Sequence, residues 1–454
     1  MRPRTMRRRR LAERNTPSND YAVKTFLRQL VFGVTACVAL HARGQALDAL
    51  VSAPDLWQTP RADFVEQHRG LGFYWLSAAR DRAASRSKGL TLFGAPVCEA
   101  DVDFQGDKLM GVTISIYNRG DAGDLEKNQW NALVTRSYTG LAALTKLQPA
   151  VQGQDASDAV KVTAVVSQTQ ITKFLLQSSF TKEVRSRNIP FRAEFVRLQV
   201  TPAEKARTFM AAALAAGSPA QGPFNGPSHV KKDPSGDVRI DTVPMVDQGQ
   251  KGYCVVATAE RVMRYYGVPV DENELAELAN SSATAGTSND AMFNSLKKLS
   301  QRLQLRVRSI QNIDVRQLEN LMRDYNQQAR RKHEAEIPDQ GHMLDVQAIY
   351  AAMKPDLLKA ARTHNKADMG RFQQIVQDHI DQGIPVLWSV MLGFVPEAKA
   401  PKVISGHTRL IIGYNAGTNE ILYSDSWGPG HELKRMAADD AWTITMAMNT
   451  IEPL

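Results

Sequence analysis

Asp247-Gln248-Gly249-Gln250-Lys251-Gly252-Tyr253-Cys254 runs directly into Val255-Val256-Ala257-Thr258-Ala259-Glu260-Arg261-Val262-Met263-Arg264-Tyr265-Tyr266-Gly267. In the second part Val255, Val256, Ala259, Val262, Met263 and Tyr266 recur at helical spacing, and Gly267 is placed as a C-cap. Cys254 is therefore expected in the first turn of a buried helix, after a glycine-containing loop. The N–H groups of a helix's first turn have no intrahelical acceptor, and their partial positive charge favours thiolate over thiol. Such a position can lower a cysteine from a pKa of about 8.5 into the range of roughly 3.5–7.5. A cysteine met alone in an apolar helix is more often a core residue, so the assignment depends on what else the chain supplies.

A thiolate nucleophile needs a proton donor for its leaving group and a cradle for the oxyanion. Gln248 precedes Cys254 by six residues. From a loop folded back on the helix start, its amide can point at the same carbonyl oxygen as the Cys254 N–H. Downstream, Ser405-Gly406-His407-Thr408-Arg409-Leu410-Ile411-Ile412-Gly413-Tyr414-Asn415 reads as a strand with His407 at its start. Ile421-Leu422-Tyr423 reads as a second strand, ending in Ser424-Asp425-Ser426-Trp427-Gly428, with Asn415 to Asn419 as the hairpin between them. Pairing these strands brings Asp425 close to His407, where a carboxylate fixes the imidazole tautomer and supports the imidazolium.

Gln-x5-Cys opening a helix, Gly-His on a strand, then Asp-Ser-Trp-Gly after the next strand resembles the papain-like cysteine peptidases. Within that superfamily the pattern is most similar to the bacteriocin double-glycine leader-processing peptidases and their stand-alone relatives, which share the order Gln, Cys, His, Asp. Asp378-His379-Ile380-Asp381-Gln382-Gly383-Ile384-Pro385-Val386-Leu387-Trp388 also resembles the helix–turn–strand that precedes their histidine strand. The resemblance covers about 238–454. It implies Cys254 as nucleophile, His407 as base, Asp425 as the third member and Gln248 as oxyanion donor. Gly252 and Trp427 are expected at the substrate cleft, Gly252 with Gly249 letting the loop approach a peptide backbone closely. The leader-processing peptidases are usually fused to transporters and this chain has none, so their substrate is not carried over.

The fold class expected is α+β, a papain-like cysteine peptidase domain preceded by a separate small α+β domain. A helical insert is expected at about 300–380, with helices at Val315–Arg331 and Asp345–Arg362, placed to shape or cover the cleft. In the first body, 47–200, strands are predicted at Asp101–Phe104, Val112–Tyr117, Val160–Ser167, Ile171–Phe180 and Phe191–Val200, with a helix at Leu125–Leu147. Cys98 beside Pro96 and Val97 is expected to be a core cysteine. Residues 201–237 are expected to be a linker, an Ala-rich helix at Ala203–Ala216 followed by a run of Gly and Pro.

The chain has 454 residues, 43% hydrophobic and 23% charged, which excludes intrinsic disorder, and its three cysteines are too few for a disulfide scaffold. The net charge of +9 is concentrated in residues 1–46, with ten Lys and Arg against two Asp and Glu; the remainder has 46 against 45. No basic face is needed to explain the total, so no nucleic-acid partner is implied. Residues 1–46 read instead as a signal peptide with a basic n-region, an apolar stretch at Leu30–Ala42 and small residues at Gly44-Gln45-Ala46. Export to a periplasmic or extracellular location is expected, with cleavage after Ala46 and no membrane span thereafter; an uncleaved signal would leave a membrane anchor.

Other side chains have simpler readings. His342 is a rival base followed by a helical pattern, and His431 is read as a surface loop residue. His333, Glu334 and Glu336 lack metal-ligand spacing, and neither a metal nor an organic cofactor is called for. Trp388 and Trp427 are read as core or cleft wall. The function expected is cleavage of peptide or protein substrates. A silent peptide-binding module of the same fold and a Cys-His-Asp acyltransferase are the alternatives, and the oligomeric state is left open.

Overall fold

Val112, Ile114 and Ile116 alternate with Thr113, Ser115 and Tyr117, and this period of two places them in a long strand, Lys108–Asn118, at the middle of an eight-stranded antiparallel sheet. The computed structural model describes residues 45–156, 160–183, 190–203, 224–249, 253–268, 270, 275–276, 289–299, 304–338 and 345–454. Residues 1–44 of the predicted signal, the Ala-rich helix beyond Ala203, Gly252 and His342 lie outside the described residues. No helix among the described residues is long and apolar enough to cross a membrane.

The first sheet runs Tyr74–Trp75, Arg82–Ser85, Glu99–Gln105, Lys108–Asn118, Arg192–Pro202, Thr172–Thr181, Val160–Gln168, Ala150–Ala156. The strands expected from alternation are present with their ends shifted by a few residues at most, and Gly106, at φ 61°, turns the chain between two of them. The helix Lys127–Thr145 covers the sheet with Trp130 and Leu141 buried. Cys98 is half-buried, not a full core residue, and its thiol donates to the Ile116 carbonyl at 3.9 Å.

The second sheet is built around the histidine strand, Gly406–Asn415. Val386–Met391 pairs with it antiparallel, and Glu420–Ser424 returns along it after the hairpin. Asp237–Ile240 also pairs with it, and Val230–Lys232 pairs with Asp237–Ile240. The linker expected over 201–237 is therefore sheet at its C-terminal end: glycine and proline there make turns, with Gly236 at φ 88°.

The expected helical insert is only partly helical. Leu305–Asn312 is a strand paired with the C-terminal strand Thr445–Pro453, its alternation broken by a bulge near Ser309 and Gln311. Val315–Arg331 is the helix expected, capped by Asp314. The helix expected at Asp345–Arg362 is two, Val346–Ala351 and Pro355–Thr363. Pro355 starts the second because it has no N–H to give and forces Lys354 into extended backbone.

The two sheets have separate hydrophobic cores. Residues Gln45–Leu454 nevertheless form one compact unit, and the polar contacts between the sheets are described below.

Candidate active site

The helix Cys254–Tyr265 begins at Cys254, with Tyr253 as its N-cap residue. It ends as its sequence dictates: Gly267, at φ 75°, lets its N–H reach the Arg264 carbonyl and that of Val268 reach Met263. Most of its side chains are buried, including Glu260 and Arg261. Thr258 Oγ1 donates to the Thr408 carbonyl at 3.2 Å, fixing the helix against the histidine strand. Arg261 does the same toward the far side of the site. Its Nε donates to the Pro244 carbonyl at 2.8 Å, Nη1 to the Asp425 carbonyl at 2.9 Å and Nη2 to Ser424 Oγ at 2.6 Å. One buried guanidinium thus ties together the Cys254 helix, the loop before it and the strand end that carries Asp425.

Cys254 and His407 face each other closely enough that each shifts the titration of the other. His407 Nε2 lies 3.1 Å from Asp425 Oδ1, which leaves Nδ1 as the ring nitrogen for the sulfur. Trp427 is stacked on the imidazole, ring centroids 4.3 Å apart and planes within 13°. Its ring contacts in the structure are with His407 and His431. His407 and Asp425 are buried and Cys254 is half-buried.

Burial pushes the Cys254 thiol up, but the hydrogen bond and charge of His407, with the backbone N–H groups of Thr408 and Val255, bring it below its ordinary value. Burial also disfavours the imidazolium; the hydrogen bonds to Asp425 and Cys254 more than offset it and hold His407 above its ordinary value. Both directions favour a thiolate–imidazolium pair. Burial likewise raises the Asp425 carboxyl, yet hydrogen bonds from His407 and His431 and the charge of Arg409 hold it well below the usual carboxylate range.

Gln248 is buried in the loop before the helix. Its N–H donates to the Ser426 carbonyl at 2.8 Å, and Ser426 Oγ donates to its Oε1 at 2.7 Å. Ser426, next to Asp425, thus fixes the rotation of the Gln248 amide. Gly249 has φ 64°, and its N–H donates to Asp247 Oδ1 at 2.9 Å in a tight turn.

Several groups at the site were not legible in the sequence. His431 is buried, not a surface residue; its Nδ1 is 3.9 Å from Asp425 Oδ2 and its ring meets Trp427 edge-on. The turn Gly428-Pro429-Gly430 folds it back, and that density of turn residues was the available signal. Arg409 is fully buried, with Nε 2.9 Å from Asp425 Oδ1 and Nη2 3.0 Å from Glu397 Oε2. Lys434 Nζ is 3.3 Å from Asp425 Oδ2. Away from the site, Glu334 pairs with Lys354 and Glu336 with Arg330. Among the described residues no group of three or more His, Cys, Asp or Glu side chains is placed to hold a metal ion.

Residues 295–447 match the model of the family described as Peptidase_C39 like family. The match supports the papain-like cysteine peptidase superfamily and, at family level, a cysteine peptidase-type function. It spans about a third of the chain, contains His407 and Asp425, and starts after Gln248 and Cys254. No curated protein matches the chain.

Proposed function

We propose that this protein is an exported thiol peptidase in which Cys254 is the nucleophile, His407 the acid–base, Asp425 its orienting partner and Gln248 the oxyanion donor. The observation that carries the reading is the contact line from Cys254 through His407 to Asp425, with the sulfur at a helix start. The thiolate attacks the peptide carbonyl carbon and forms a C–S bond, while the carbonyl oxygen takes the negative charge. The Cys254 N–H and the Gln248 amide meet that oxygen. As the oxyanion collapses, the C–N bond breaks and His407 gives its proton to the leaving amine. Water then attacks the thioester, His407 takes its proton, and the carboxylic acid leaves with the thiolate restored.

Within the superfamily we place the protein beside the stand-alone relatives of the leader-processing peptidases, on the order Gln248, Cys254, His407, Asp425, and without their substrate. Gly252 and Trp427 border the cleft in this reading. Export rests on residues 1–46 alone, with their basic run and short apolar stretch.

The test is covalent labelling of the full chain. Iodoacetamide near neutral pH is expected to label Cys254 stoichiometrically, and a peptide aldehyde series to protect it and stop peptide hydrolysis. Labelling only at alkaline pH, with no hydrolysis lost in Cys254→Ala, would overturn the assignment.

A further inference from the structure

The loop between Asp247 and Cys254 is held at both ends by the first body. At the upstream end, Tyr74 OH donates to Asp247 Oδ2 at 2.9 Å, and Arg86 Nη2 donates to the Asp247 carbonyl at 2.6 Å. Burial pushes the Tyr74 hydroxyl up to about 12, so it is the donor at neutral pH. At the downstream end, Tyr253 OH donates to Asn118 Oδ1. The Tyr253 ring also lies against Gly120, where a Cβ would fall 1.6 Å from the Tyr253 oxygen. Asp247 adjoins Gln248 and Tyr253 adjoins Cys254, so both groups proposed to bind the oxyanion stand one residue from an anchor on another sheet.

A buried ionic cluster fixes the nucleophile helix to the same body. Arg82 Nη1 is 3.2 Å from Glu260 Oε1 and its Nη2 is 2.8 Å from Asp101 Oδ2. Arg264 Nε is 2.6 Å from Glu260 Oε1, and its Nη1 is 3.3 Å from Asp103 Oδ1. Glu260 is fully buried, and a buried carboxylate that loses a cationic partner is strongly destabilising. The first body therefore supplies part of the ionic environment around Glu260.

We infer that Tyr74 and Arg86 of the first body are positioning residues for catalysis, setting the oxyanion loop through Asp247, so that the two sheets make one working enzyme. This rests on the thiol-peptidase reading of Gln248 and Cys254. The contacts act on the loop that carries Gln248 and leave the Cys254–His407 pair untouched, so oxyanion binding and thiolate formation come apart.

The experiment uses the full chain with Tyr74→Phe, which removes one hydroxyl, and Arg86→Lys, which keeps the charge but not the paired donors. Iodoacetamide labelling of Cys254 at pH 7 is expected to stay near the wild-type rate. Turnover of a fluorogenic peptide amide is expected to fall in kcat by about tenfold to a hundredfold, with KM little changed, a fraction of the loss seen when an oxyanion donor is removed outright. Wild-type turnover in both variants would overturn the inference. Loss of labelling in step with turnover would overturn it too, because the contacts would then support the helix start as a whole. If the wild-type chain neither labels nor turns over, the peptidase reading fails, and amide hydrogen exchange judges the contacts alone. Exchange at Gln248, whose N–H bonds Ser426, is then expected to quicken by about tenfold or more in Arg86→Lys if the loop is held as described. Unchanged exchange would overturn it.

Discussion

Arg409 and His407 share one carboxylate oxygen: Arg409 Nε lies 2.9 Å and His407 Nε2 3.1 Å from Asp425 Oδ1. Arg409 also faces Glu397, and its guanidinium lies 4.8 Å from the Tyr423 ring centroid and 5.9 Å from that of Trp427. A fixed cation as well as the His407 imidazole therefore holds Asp425 ionised. Its pKa is depressed in the folded chain, so its contribution to stability is present above the unfolded value of about 3.8 and is lost as pH falls through the folded value. Across neutral and mildly acidic pH that contribution stays in place.

Removing the cation should be costly. Arg409→Met leaves Asp425 and Glu397 without their buried partner, and the expected loss is about 3–5 kcal/mol of unfolding free energy. Urea unfolding measures it. A loss below about 1 kcal/mol would mean that the carboxylates are satisfied without Arg409.

The pH profile follows from the two directions at the pair. Activity in kcat/KM should rise as pH passes the lowered thiol value and fall as pH passes the raised imidazole value, both values belonging to the coupled pair. His407's own stabilising share is complete below its unfolded value of about 6.5 and is lost as pH rises through the folded one. Asp425→Asn removes a group that raises His407, so its alkaline limb should move to lower pH. A limb that stays in place would remove Asp425 from the role of orienting partner.

Ser426→Ala deletes the hydroxyl that fixes the Gln248 amide. Steady-state kinetics should show kcat lower by about tenfold, with alkylation of Cys254 unchanged. Equal kcat would indicate that the amide does not meet the oxyanion.

A specific protease site inserted between Gly217 and Gly222 should yield two fragments that stay together on gel filtration and keep their activity. A rise in activity with release of the first fragment would identify that body as a pro-region and contradict the shared-enzyme account.

Much of the site could be read locally. Cys254 at a helix start, His407 at the head of an apolar strand and Asp425 after the returning strand are all set by short-range periodicity and one hairpin. What was hidden depends on distant partners. Arg409 sits in an apolar strand and looks like an ordinary polar position until Glu397 and Asp425 close on it. Leu305–Asn312 does not announce itself as a strand, because a bulge spoils its alternation and its partner strand lies at the C-terminus. Asp247 carries no local signal, since its partners Tyr74 and Arg86 come from the first body, far away in sequence.

Activation of the Cys254 sulfur is read from the ultraviolet thiolate absorbance of the full chain as a function of pH, taken as the difference from Cys254→Ala. The thiolate signal is expected to persist well below the ordinary thiol value of about 8.5 and to be lost on the acid side as the sulfur takes up a proton. A difference signal that appears only at or above about 8.5 would contradict it.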